Sequence, residues 1–147
     1  MMERRHRLQR LLAIRRMGEE IERRHLQSAL GSVAEVENAL SQQAHAISDA
    51  SEAASSALRS GNRSERLFAE AQAEVAGWNQ MRLTPVLQSR RQEIASSTAA
   101  FLDRRREAEQ IQQLVNNCRL ELRLMEIRKA QAAADDWFLT RRIVERK

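Results

Sequence analysis

SGNRSERLFAEAQAEVAGWNQMRLTP, residues 60–85, holds the only proline of the 147-residue chain, Pro85, and two of its four glycines, Gly61 and Gly77. Proline costs about 3 kcal/mol inside a helix and glycine about 1 kcal/mol. A chain that gathers its breakers in one window reads as two long helices with a connection between them. Within the window, Gly61 suits the left-handed residue that commonly ends a helix, and Asn62 with Glu65 has capping-box spacing for a new start. Leu67, Phe68, Ala71, Val75 and Trp78 then mark one face of a short helix. Thr84-Pro85 has the form of a fresh helix start, with Thr as N-cap and Pro at the first helical position. The expected fold is all-α: a long antiparallel two-helix coiled-coil hairpin with a short helical connector. It forms a single elongated domain over residues 1–147, with helices over about 4–59 and 85–143 and the connector over 60–84.

On the N-terminal side, Leu11, Ile14, Gly18, Ile21, His25 and Ser28 follow alternating 3–4 spacing. Leu30, Val33, Glu37, Leu40, Ala44, Ile47, Ser51, Ala54 and Leu58 follow the same spacing with the phase moved by one residue. That slip implies little or interrupted supercoiling. On the C-terminal side, Leu87, Ile94, Phe101, Ala108, Val115 and Leu122 recur every seven residues, accompanied by Arg90, Ser97, Arg104, Ile111, Cys118 and Met125. Two helices of roughly 85 Å each would match in length, and Leu58 beside Val86 would set Val33 opposite Ile111 and Leu26 opposite Cys118. A competing reading runs one helix from 64 to 143 through a kink at Pro85. It leaves about twenty C-terminal residues overhanging, with Trp137-Phe138 among them.

Composition suits such rods. Hydrophobic residues make up 42% but aromatics only 3%, with no tyrosine, so a narrow aliphatic seam replaces a thick core. The 31% of charged residues suits long solvated helices. The net charge of +5 is uneven: residues 1–24 and 84–147 each carry +4, 25–60 carry −3, and 61–83 are neutral. The basic start Met1–Arg7 leads into no continuous apolar stretch, so a signal peptide is not expected, and no run approaches a membrane span. One cysteine, Cys118, excludes an intramolecular disulfide and fits a reducing compartment.

Little here resembles a catalytic centre. Glu3/His6 and Glu22/His25 have the Glu-x-x-His spacing of di-iron bundles, but both fall in the first helix, nineteen residues and about 28 Å apart. They cannot share a metal within one chain, and a site would need a second chain. His45 has no carboxylate at ligand spacing. Cys118 lies on the apolar series and reads as a small core residue. With no phosphate loop, zinc spacing or nucleophilic triad, neither enzymatic activity nor a cofactor is expected. Arginine runs at Arg4-Arg5-x-Arg7-x-x-Arg10, Arg104-Arg105-Arg106, and Arg141-Arg142 with Arg146-Lys147 fit a solvated face or an acidic protein partner. Phosphate binding is the alternative, but glutamates dilute the field and stacking aromatics are absent, so nucleic acid is not expected.

Asp135-Asp136-Trp137-Phe138-Leu139-Thr140-Arg141-Arg142 stands out as a pair of large aromatics in a chain nearly free of them. Either one ring caps the seam or the pair anchors a partner, since Trp and Arg are enriched among binding hot spots. Together with the start, Leu8-x-x-Leu11-Leu12-x-x-Arg15, the end segment Asp135-Asp136-x-Phe138 followed by Arg141-Arg142 resembles the FliJ family of flagellar type III export proteins. The resemblance covers the whole chain in architecture and these short pieces in motif. It implies a cytoplasmic, non-enzymatic stalk and general chaperone, peripheral to the inner membrane. Paired termini would enter the ring of an export ATPase, and other contacts would reach an export-gate membrane protein and substrate chaperones. It carries ATPase binding to Leu8, Leu11, Leu12, Asp136, Phe138, Arg141 and Arg142. Arg4, Arg5 and Arg7 join them on electrostatic grounds, because a hairpin with matched ends gathers both +4 segments at one pole. Leu67, Phe68 and Trp78 are the export-gate candidates. Injectisome stalk proteins have the same implied architecture.

Overall fold

Among the described residues, Gly61 and Asn62 separate two long helices. The computed structural model describes residues 1–146; Lys147, the last member of the C-terminal basic run, lies outside them. Helix α1 runs Met2–Ser60 and helix α2 runs Arg63–Glu145, with no strand among the described residues. The chain is an all-α helical hairpin, 97% helical.

The turn is built from backbone bonds that satisfy both helix ends. Gly61 has φ of 73°, the left-handed region in which glycine alone meets no Cβ penalty. The N–H of Asn62 donates to the Ala57 carbonyl at 3.0 Å and that of Gly61 to the Leu58 carbonyl at 3.4 Å. This is the Schellman pattern that closes the end of a helix. Asn62 then starts α2: its Oδ1 accepts from the N–H of Glu65 at 3.2 Å, and its carbonyl accepts from the N–H of Arg66.

The separate connector helix of 60–84 and the restart at Pro85 do not occur. Pro85 lies inside α2 and is exposed, and the Thr84 hydroxyl donates to the Gln80 carbonyl at 2.8 Å instead of capping a new helix. The reason is packing. The half-buried and buried positions Ala69, Ala73, Ala76, Gln80, Leu83 and Leu87 keep one heptad phase straight through the proline. That phase continues through Ile94, Phe101, Ala108, Val115 and Cys118 to Leu122. Burial along the series outweighs the missing hydrogen bond, whose site faces water.

The inward face of α1 also differs from the expected series. It follows Leu8, Leu12, Arg15, Glu19, Glu22, Leu26, Ala29, Val33, Val36, Leu40, Gln43, Ile47, Ala50, Ala54 and Ala57 at unbroken 3–4 steps. No phase slip occurs, and Ile14 and Ile21 are exposed. Valine, leucine and isoleucine between 33 and 47 fix the phase. Upstream it carries polar residues inward, which the long Arg15 and Glu22 side chains tolerate by reaching the seam edge.

Contacts divide the chain into two units, Met1–Glu20 with Leu102–Lys147, and Ile21–Phe101. In the first, Arg15 Nη1 donates to Glu107 Oε2 at 2.9 Å, and Arg16 donates to Gln112. In the second, Arg91 donates to Glu37 at 3.2 Å, Asn79 to Gln43 at 3.3 Å, and Arg23 lies over the Phe101 ring. The numbers of the hydrogen-bonded partners add to 122 or 128, where matched rods required about 144. Val33 is therefore not opposite Ile111, nor Leu26 opposite Cys118. This register brings Leu12 level with Val115, whose side chain is fully buried. The turn lies near residue 61 rather than at a connector midpoint, and every described α2 residue beyond Leu122 is exposed, with α1 reaching no farther than the level of Glu126.

Candidate functional site

The surfaces available for function are apolar and exposed rather than enclosed. No group of three or more His, Cys, Asp or Glu side chains able to hold a metal occurs among the described residues. Glu22 and His25 meet at 3.6 Å on one helix, with His25 largely in solvent. His45 Nδ1 lies 2.8 Å from the Ser41 carbonyl, one turn back. Cys118 is buried on the seam as a free thiol. No described helix is long and apolar enough to cross a membrane.

The N-terminal candidates divide by face. Leu12 is buried, Arg5, Leu8 and Leu11 are half-buried, and Arg4 and Arg7 are exposed, Arg7 in an ion pair with Glu3. Heptad phase puts Leu8 and Leu12 on the seam, so they support the hairpin. Met2 and Arg5 border a cleft of about 350 Å³ with Arg119, Leu122, Arg123 and Glu126. Asp136, Phe138, Arg141 and Arg142 begin ten residues past that cleft, a rise of about 15 Å along a helix. The expected meeting of both termini at one basic pole is thus overturned. The short turn gives α2 more residues than α1 can accompany, and the C-terminal set extends beyond the N-terminal one.

Within that extension the aromatic segment is organised. The Trp137 and Phe138 rings meet edge to face, with centroids 5.1 Å apart and planes at 77°. The Arg141 guanidinium sits 5.2 Å from the Trp137 centroid and Nε donates to Glu145 at 3.2 Å. Thr140 donates to the Asp136 carbonyl. Trp137 and Phe138 are 55% and 63% exposed, so neither ring caps the seam.

The second surface lies near the turn. Leu67, Phe68, Val75 and Trp78 are all exposed. Phe68 and Val75 wall a groove of about 710 Å³ floored by alanines of both helices, including Ala46, Ala50 and Ala53. Leu67 and Trp78 do not line it. The face read as a short connector helix therefore divides: Phe68, Ala71 and Val75 border the groove, Leu67 and Trp78 lie outside it, and the seam runs along Ala69, Ala73 and Ala76.

Sequence reading overlooked one further run. Leu120, Leu124 and Ile127 are exposed on α2 ahead of the aromatic pair. Their 3–4 spacing is legible in the sequence, on the face opposite the Ile111/Cys118/Met125 series. Compared with protein-family models, curated proteins and solved structures, the chain matches none.

Proposed function

We propose that the chain is a non-enzymatic helical stalk of a type III protein-export apparatus. On this reading it binds the export ATPase through its C-terminal extension and connects that ATPase to the export gate near the hairpin turn. The observation that carries the reading is the segment Asp135–Arg142: two exposed aromatics and two arginines on a helix that no other described part of the chain accompanies. Aromatic and arginine side chains so placed are the usual anchors of a protein interface. The basic residues suit an acidic ring lining, and Arg4 and Arg7 add exposed charge at the other terminus. Exposed Leu67, Phe68 and Trp78 are the surface assigned to the gate. Substrate chaperones are further partners on the same reading, which places the chain in the cytoplasm beside the inner membrane.

Retention of a purified hexameric export ATPase on the immobilised chain tests this. Phe138→Ala combined with Arg141→Glu and Arg142→Glu should weaken retention at least about tenfold, while Leu67→Ala with Trp78→Ala leaves it unchanged. Equal retention of wild type and triple variant refutes the assigned surface. Retention of duplex DNA with a steep salt dependence would move the reading to a phosphate-binding coiled coil.

A further inference from the structure

A second heptad stripe starts on α2 beside the last turn of the seam and continues past the start of α1. Leu120, Leu124, Ile127, Gln131, Ala134 and Phe138 follow one another at alternating four- and three-residue steps, and all are exposed. Leu120 and Leu124 each stand two residues past a seam residue, Cys118 and Leu122. At 100° per residue that is about 200° around the helix. The stripe therefore faces away from α1 and is open to another helix. A stripe of this spacing, apolar but for one polar member, is what a coiled coil buries.

The charges beside the stripe select its occupant. Glu121, Arg128, Asp135 and Arg142 recur every seven residues along one edge and alternate in sign. We propose that the stripe pairs antiparallel with the same stripe of a second copy of this chain. In an antiparallel coiled coil the same edge of each helix meets its counterpart. With Gln131 set against the second copy's Ala134, edge residues whose numbers add to 263 meet. Glu121 faces the second copy's Arg142, Arg128 faces its Asp135, and both pairs recur by symmetry. All four contacts are between opposite charges.

Neighbouring arrangements fail this test. Sliding one heptad in one direction sets Arg128 against the second copy's Arg128. Sliding in the other sets Asp135 against Asp135. A parallel pair sets Arg123 against Arg128. The favoured register also fits by size, because Trp137 falls opposite Ala130 on the other edge, and Ile127 falls opposite Phe138 in the stripe. Gln131 falls opposite the small Ala134, which leaves its amide room to reach water. A single polar residue in such a seam lowers stability but helps to fix the register. Arg141, which falls opposite Leu124, has its guanidinium held by Glu145 and Trp137, leaving its methylenes to cover the leucine. This pairing does not depend on the export reading. It would cover Phe138 and Arg142, so a self-paired copy presents neither to another partner.

Sedimentation equilibrium of the full chain in low salt measures the pairing, with circular dichroism checking that each variant stays helical. Wild type should dimerise. Arg128→Glu with Arg142→Glu makes the edge wholly acidic, and Glu121→Arg with Asp135→Arg makes it wholly basic. Each double variant should dimerise at least about tenfold more weakly, from loss of four ion pairs to like-charge contacts. An equimolar mixture should return to dimer, containing one copy of each. A wild type that stays monomeric to about 100 µM, an affinity weaker than roughly −5.5 kcal/mol, overturns the proposal. So does unchanged dimerisation of both variants, or a mixture that stays monomeric.

Discussion

Helix α2 contains two stretches of similar sequence character in opposite circumstances. Up to Leu122 its heptad residues lie against α1, and Ala108, Val115 and Cys118 are buried. Beyond Leu122 the helix continues for more than twenty residues, yet every described one is exposed. Helix propensity does not separate the stretches, since both are rich in Ala, Arg, Leu and Glu. A partner helix does. In proteins most of a helix's stability comes from packing rather than propensity. The pairing proposed above would supply that packing to the extension, where the chain's aromatic pair is placed rather than in the seam.

Placing a carboxylate in each stretch gives the largest expected contrast. Val115→Asp puts a charge at a fully buried seam position, level with Leu12. It should cost about 3–5 kcal/mol, read as a lowered urea midpoint. Phe138→Asp should change the same midpoint by under about 0.5 kcal/mol at concentrations where the chain is monomeric. Comparable losses at both positions would show that the extension is packed in solution and end the distinction.

Proline sharpens the comparison from the other side. Pro85 survives because the seam around it is occupied, so Pro85→Ala should restore a backbone hydrogen bond and stabilise the hairpin by about 2 kcal/mol. A smaller gain is expected if the restricted unfolded chain had offset part of the cost. Ala132→Pro, in the unaccompanied stretch, should instead reduce helical circular dichroism and leave the unfolding midpoint of the hairpin in place.

This tolerance also explains what could be read in advance. The series Leu87 to Leu122 was legible because Val115, Leu122 and their neighbours are apolar at every seventh place. The turn was legible because Gly61 and Asn62 have specific backbone roles. The break at Pro85 was overestimated by weighing a local cost of about 3 kcal/mol without the burial on both sides. Followed backward, the heptad would have passed through Leu83, Ala76 and Ala69. The first half of α1 was misread because Arg15, Glu19 and Glu22 hold inward positions while the exposed Ile14 and Ile21 look like core. Of the candidate surface, Phe138, Arg141 and Arg142 were recognisable from composition. Their separation from Leu8 and Leu12 belonged to the competing reading, one helix running from 64 through Pro85 with its C-terminal residues overhanging, and the observed α2 follows that reading rather than the matched rods.

Those inward polar residues supply the smallest effect. Glu107 accepts hydrogen bonds from Arg15 across the seam at 2.9 Å and from Arg104 on its own helix at 3.3 Å. The Arg15 and Glu107 side chains are 39% and 42% exposed, so solvent screens the attraction. Glu107→Gln keeps the side chain's shape and removes its charge, and should cost about 0.5 kcal/mol. Glu145→Gln breaks the pair with Arg141, whose side chains are 65% and 61% exposed, and should not move the unfolding midpoint. In 1 M salt, where the screening length falls to about 3 Å, the Glu107 effect should shrink towards that of Glu145. A Glu107→Gln loss that persists undiminished in high salt would mean that the short-range hydrogen bonds accepted by the carboxylate, rather than long-range attraction, hold the polar part of the seam closed. Arg15 would then belong to the hairpin through the geometry of its bond to Glu107, where Leu12 belongs to it by burial.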